Sequence, residues 1–219
     1  MAKKHFGKHI REGVLIIFSV LFALFINKTA ENHKTNQKKE IAIESIHKEL
    51  YRNYWTIKRW NEQHAAIIAR LDSLSSGLKP ELELKLKQSD FFNMNLLIEN
   101  GGLINSMLIS SAWEAAKETG IFSEFDYELL QSITKAYDFQ ETLTDETIPK
   151  IMDTYFSKDA HRMEEIDLTL ILFQLQMYQL YGHETLLLSF YDESINMIHE
   201  NTHLKNMIYV DSLKTYIEK

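Results

Sequence analysis

From residue 14 to residue 76 the chain contains neither glycine nor proline, and these 63 residues open on the unbroken apolar run Val14-Leu15-Ile16-Ile17-Phe18-Ser19-Val20-Leu21-Phe22-Ala23-Leu24-Phe25-Ile26. Glycine and proline are the residues that most readily end a helix, and neither is available here. The stretch predicts one helix that begins in an apolar medium and continues into water. Whatever else the chain forms has to be built along that rod.

The run is short for a membrane span: its thirteen residues would rise about 20 Å as a helix, against a hydrocarbon core of roughly 30 Å. A helix reaching back to Phe6 and on to Asn27 would rise about 33 Å, with Arg11 and Glu12 near one interface. All of the run except Ser19 and Ala23 is Val, Leu, Ile or Phe. Each such residue favours insertion by roughly 0.3 to 0.6 kcal/mol, which outweighs one or two off-centre charges. Lys8 and Arg11 can also extend their amino and guanidinium groups toward headgroups. The expected membrane-spanning residues are thus Val14, Leu15, Ile16, Ile17, Phe18, Val20, Leu21, Phe22, Leu24, Phe25 and Ile26, and membrane lipid is the first expected partner. Phe25-Ile-Asn-Lys-Thr-Ala30 offers no small-residue cleavage pattern, so the anchor is expected to be retained. Four basic residues precede the run (Lys3, Lys4, Lys8, Arg11) and four follow it closely (Lys28, Lys34, Lys38, Lys39), so positive charge does not set the orientation. A short basic tail before a single apolar run resembles a signal anchor, which would carry residues 28–219 outward. The expected location is a bacterial inner membrane with the body in the periplasm.

Beyond Ile26 a polar stretch over residues 27–40 suits a solvated stalk, and a heptad follows it. With a at Ile43, Leu50, Ile57, His64 and Leu71, position d falls on Ile46, Asn53, Trp60, Ile67 and Leu74. Only Asn53 and His64 are polar. The stripe formed by Ile43, Ile46, Leu50, Ile57, Trp60, Ile67, Leu71 and Leu74 must pack on something: either the same stripe in another copy, or the later helices of its own chain. The intramolecular spine is expected, because those later helices also need a surface to bury against. Trp55 and Trp60, with Tyr51 and Tyr54, add an aromatic cluster read as core.

Further on, Gly77 and Pro80 are expected to end the spine. Leu82-Glu-Leu-Lys-Leu86 alternates, but with no strand to pair with it reads as an extended connection. Helices are expected over 103–119, closed by Gly120, and from an Asp126 cap to about Leu143, with Pro149 in a turn. One or two more should cover 161–201, jointed at Gly182, and a last one 204–217. Residues 168–181 are rich in Leu, but Gln174, Gln176 and Gln179 make them a buried core helix instead of a second span. The fold class is therefore all-α: a basic tail and anchor over 1–27, a stalk and spine over 28–76, and a helical domain over 77–219 packing on the spine.

Charge is divided along the chain. Residues 1–60 hold 12 Lys/Arg against 5 Asp/Glu, whereas the remainder holds 12 against 26. A basic membrane-proximal half suits anionic headgroups, and an acidic outer half argues against nucleic acid as a partner. With no cysteine, the chain has no disulfide, thiolate metal site or cysteine nucleophile.

One motif carries possible chemistry. His199-Glu200-Asn-Thr-His203 matches H-E-x-x-H, in which two histidines a turn apart bind zinc and the glutamate acts as general base. The extension that would supply a third ligand is missing, since Leu-Lys-Asn-Met follows His203. A solvated helix end is expected, with no catalytic residue, no cofactor and no metal. Glu44-Ser-Ile-His47 and Glu200-Asn-Thr-His203 also have the E-x-x-H spacing of di-iron bundles, but Glu44 and His47 fall at b and e, pointing away from the core stripe. G-x-S-x-G, a Walker loop and G-x-G-x-x-G are all absent.

The stretch from Glu12 through the apolar run to Asn27, then Glu31-Asn32 and a charged helix to Glu49-Leu50, resembles the N-terminal signature of an uncharacterised bacterial family of single-span helical membrane proteins. Ser111-Ala-Trp-Glu-Ala-Ala-Lys-Glu-Thr-Gly120, with Leu129-Leu130 and Tyr137, is similar to that family's next helical pair. The resemblance implies an anchored all-α protein and supplies no catalytic residues. The expected function is interaction or scaffolding in the bacterial envelope, with a protein partner or homo-oligomer. A zinc-dependent hydrolase at His199, Glu200 and His203, or a tethered ligand-sensing domain near Trp55 or Trp60, is the alternative.

Overall fold

A computed structural model describes the backbone over residues 2–98 and 102–201 and the side chains over 13–98 and 102–200. The expected helix at 204–217 and His203 lie outside these residues. Helix α1 runs without a break over Ala2–Ser75, α2 over Pro80–Lys87, α3 over Ser111–Glu118, α4 over Tyr127–Glu141, α5 over Ile148–Phe156 and α6 over Ile166–Asn201. Short 3₁₀ turns lie at Met94–Leu96, Ile121–Glu124, Asp159–His161 and Met163–Glu165. The described residues contain no strand, and the chain is all-α.

Helix α1 stops where glycine permits it. Gly77 has φ +66°, and its N–H donates to the Leu74 carbonyl at 3.0 Å while that of Leu78 donates to Ser73 at 2.9 Å, the paired bonds of a Schellman cap. All ten a and d positions from Ile43 to Leu74 are buried, at 8% exposure or less. They pack mainly on α6, which runs antiparallel: Gln174 Nε2 donates to Asp72 at 2.6 Å, Asn61 Nδ2 to the Tyr181 carbonyl at 3.3 Å, and His199 lies beside His47. Helix α6 has its own seam, with Phe173, Met177, Leu180, Glu184, Leu187, Tyr191, Ser194 and Ile198 buried at alternating spacings of three and four. Helix α4 lies against α6, and α3 covers α1 near residue 49.

Several elements differ from the sequence reading. Residues 80–87 are helical and not extended. Pro80 starts the helix, Glu81 and Glu83 sit in its first turn, Lys85 and Lys87 in its last, and Leu86 is buried, so dipole complementarity and one buried face outweigh the alternation. Helix α3 begins at Ser111, not 103. The preceding segment stays irregular because α1 side chains bond its backbone, as set out below. Helix α4 continues through a π-turn over Thr142–Thr147 straight into α5, so Pro149 lies in the helix; the wider turn ahead of it accommodates a ring with no N–H to give. Gly182 leaves α6 unbroken, and α6 begins at Ile166 after two 3₁₀ turns.

Candidate functional site: an uncovered helix face on a helical spine

The candidate membrane span is the part of α1 that nothing covers. From Val14 to Ile26 every large apolar side chain is between 52% and 67% exposed, and none meets the folded body. Among the described residues this is the one helix long and apolar enough to cross a membrane. Its hydroxyl is satisfied internally, Ser19 Oγ donating to the Leu15 carbonyl at 2.8 Å, and Thr29 does the same to Phe25 at 2.9 Å just past the run. Hydrocarbon offers no other acceptor, so this back-bonding suits a lipid environment.

The polar exceptions of the spine each hold a non-helical backbone segment. Asn53 Oδ1 accepts from the Ile109 N–H at 3.0 Å while its Nδ2 donates to the Ile109 carbonyl at 2.6 Å and to Gln140 Oε1 at 3.0 Å. Tyr191 also donates to Gln140 Oε1, at 2.6 Å. His64 Nε2 donates to the Leu103 carbonyl at 2.8 Å, and its Nδ1 meets Glu184 Oε1 at 2.7 Å, with both side chains fully buried. Burial pushes the Glu184 carboxyl above its usual range, and the His64 bond opposes this only in part. Glu49 completes the set: its carboxylate accepts from Ser111 Oγ at 3.0 Å, the Ala112 N–H at 2.9 Å, the Trp113 N–H at 3.4 Å and the Tyr137 hydroxyl at 2.6 Å. A residue of α1 thus caps α3 from outside. Residues 102–110 are lashed to the rod by these side chains, which explains why they need no helix of their own.

Of the two histidine motifs, Glu44, His47, His199 and Glu200 fall among the described residues and His203 does not. His47 is buried, against the expectation that it points away from the core, because α6 reaches that side of α1 and brings His199 to it. The two Nε2 atoms are 2.8 Å apart. The contact is a hydrogen bond in which one ring nitrogen donates and the other accepts. No third His, Asp or Glu joins the pair among the described residues, and Glu200 is exposed. Burial, then the neighbouring His199 and Lys48, push the His47 pKa down to about 4.

The aromatic cluster divides. Tyr51 and Trp60 are buried, Tyr54 and Trp55 half-buried, and the indole N–H groups of Trp55 and Trp60 have no hydrogen-bond partner. Trp60 also lines a cleft of about 610 Å³ with Ile104, Trp113, Lys117, Asp138 and Gln140.

Helix α6 holds the feature that sequence reasoning missed. Read as a buried core helix, it is buried on one face only. The opposite face carries Leu168, Ile171, Leu172, Leu175, Tyr178 and Leu186, each between 42% and 61% exposed. The remaining residues of that face up to Ser189 are Gln179, Gly182 and Thr185, so five turns of outward surface carry no charge. The corresponding face of α1 carries Glu44, Lys48, Arg52, Lys58, Arg59 and Glu62, as a solvated face should. The signal available in sequence was the excess of apolar residues in α6 over what one seam requires.

Comparison with known proteins returns no matching family model, curated protein or solved structure, and the site is therefore read from its own geometry.

Proposed function

We propose that this chain is a single-pass, membrane-anchored interaction protein of the bacterial envelope, with its N-terminus in the cytoplasm, its helical body in the periplasm and no catalytic role. Membership of the single-span helical family it resembles belongs to the same proposal. The observation that carries the reading is the uncharged apolar face of α6, held on a rod whose own seam is already filled by its own chain. Exposed apolar patches of this size on a folded body mark binding surfaces. Buried polar groups are used throughout to fasten helices together, which suits a rigid support. The test is purification of the full chain from membranes in mild detergent, followed by mass spectrometry of what accompanies it. A stoichiometric protein partner, whether a different chain or a second copy, is expected; recovery of the chain alone as a monomer would refute the reading.

A ligand-sensing body is the second reading, supported by the cleft beside Trp60. It requires a small molecule that raises the melting temperature of the wild-type chain and fails to do so in Trp60→Phe.

A further inference from the structure

We infer that the partner of the α6 face is a second copy of this chain, the two α6 helices lying parallel across a two-fold axis normal to the membrane. This rests on the interaction reading above and names its partner.

Lipid does not fit as the cover. Tyr178 donates to Asp72 at 2.8 Å, and Asp72 stands 46 residues beyond Ile26 on one unbroken helix, about 70 Å along it. An upright anchor holds the face far outside the bilayer. Solvent does not fit either, because five consecutive turns lack a single charge. Charge complementarity with a foreign acidic or basic surface has nothing to work on here, whereas an apolar stripe is complementary to itself.

The area is of the right size. Leu168, Ile171, Leu172, Leu175, Tyr178 and Leu186 together leave roughly 600 Å² exposed per copy, close to the ~800 Å² that each partner buries in an ordinary stable interface. Flanking backbone and polar atoms would make up the difference.

Gly182 is a separate observation pointing the same way. It lies mid-helix on this face, where glycine is unfavourable by about 1 kcal/mol relative to alanine, and a methyl group built on it would meet nothing within 4 Å. The isolated chain has no use for glycine there. A helix crossing close over the face does, since the absence of a side chain lets two backbones approach. Leu168 and Leu175 lie in line with Gly182 at intervals of seven, so one seam runs through all three.

Anchoring supplies the orientation. Two copies held in one membrane by their N-termini share a direction, so their α6 helices meet parallel and in register, and confinement raises their effective concentration. The order across the dimer is α1, α6, α6, α1. The two spans are then separated by about 27 Å, three interhelical distances, and need not touch.

The native chain has no cysteine, so single-cysteine variants report without background. Leu175→Cys and Leu168→Cys in native membranes, under mild oxidation, should give a product of twice 25.8 kDa, while Glu118→Cys on exposed α3 should not. Light scattering of the detergent-purified wild type should give a protein mass twofold that of the chain, falling to onefold in Leu175→Glu with unchanged helicity. A dimer that persists in Leu175→Glu would overturn the α6 assignment. Cross-linking of Leu175→Cys to a chain of different mass would overturn self-pairing while leaving the interaction function intact. A monomeric wild type with neither product would overturn both.

Discussion

Replacing Glu49 with alanine removes a side chain that ties α1, α3 and α4 together. Two consequences follow from its contacts. The Ala112 and Trp113 N–H groups at the start of α3 lose their cap, worth about 1 kcal/mol. The Tyr137 hydroxyl, buried and stacked by its ring on Trp113 at 5.5 Å, loses its acceptor, which costs about 1 to 3 kcal/mol. That hydroxyl has no easy escape by ionising, because burial, the main cause of its raised pKa, persists when the Glu49 charge is gone. The expected loss is about 3 kcal/mol, or a fall of roughly 6 to 12 °C in melting temperature for a chain of this size. Glu49→Gln keeps the shape and one acceptor oxygen and should lose only about 1 to 2 kcal/mol. The assay is thermal melting of the full chain in detergent by circular dichroism, paired with hydrogen exchange over residues 111–118. Exchange there should accelerate more than in α6. A melting temperature for Glu49→Ala within 1 °C of wild type, or exchange in α3 unchanged, would refute the claim that α1 caps α3.

Two other perturbations test the buried polar groups. If Glu184 is protonated and donates to His64, Glu184→Gln retains a donor at that position and should change stability by less than about 1 kcal/mol, whereas breaking a buried ion pair would cost about 3 to 5 kcal/mol; denaturant titration of the two chains separates these values. The His47–His199 contact predicts acid sensitivity. The folded pKa of His47, about 4, lies below the unfolded value of 6.5, so the unfolded chain binds more protons between those limits. Stability is then complete above pH 6.5 and falls as pH drops toward 4, by on the order of 2 kcal/mol once solvent screening at the edge of the pair is allowed for. Lys48 and Glu44 are the other charges acting on His47, and they do so in opposite senses. His47→Gln should flatten the melting-temperature profile across that window, and an unchanged slope would remove the pair as its cause.

Legibility in the sequence followed the range of the interactions. The anchor and the spine repeat a local pattern, apolar residues in sequence or at heptad spacing, and such patterns describe one helix whatever it later touches. Gly77 and Asp126 act within a single turn and were equally readable. Residues 103–110 were not, because their irregular backbone is stabilised by Asn53 and His64, 56 and 39 positions away in the chain. His47 was misjudged for the same reason: position e of a heptad faces outward only when one helix packs on the seam, and here α6 and α3 flank it.

By itself, then, the sequence determined a long uninterrupted helix, apolar enough at one end to enter a membrane and striped at the other for packing, because helix formation and hydrophobic periodicity are properties of neighbouring residues. Which faces remained open was decided only in three dimensions. Helix α6 has apolar residues on two sides, and nothing local distinguishes the side that meets α1 and α4 from the side left half exposed. Only the antiparallel docking of α6 on the spine, with Phe173 to Ile198 turned inward, leaves Leu168 to Leu186 as an open apolar surface.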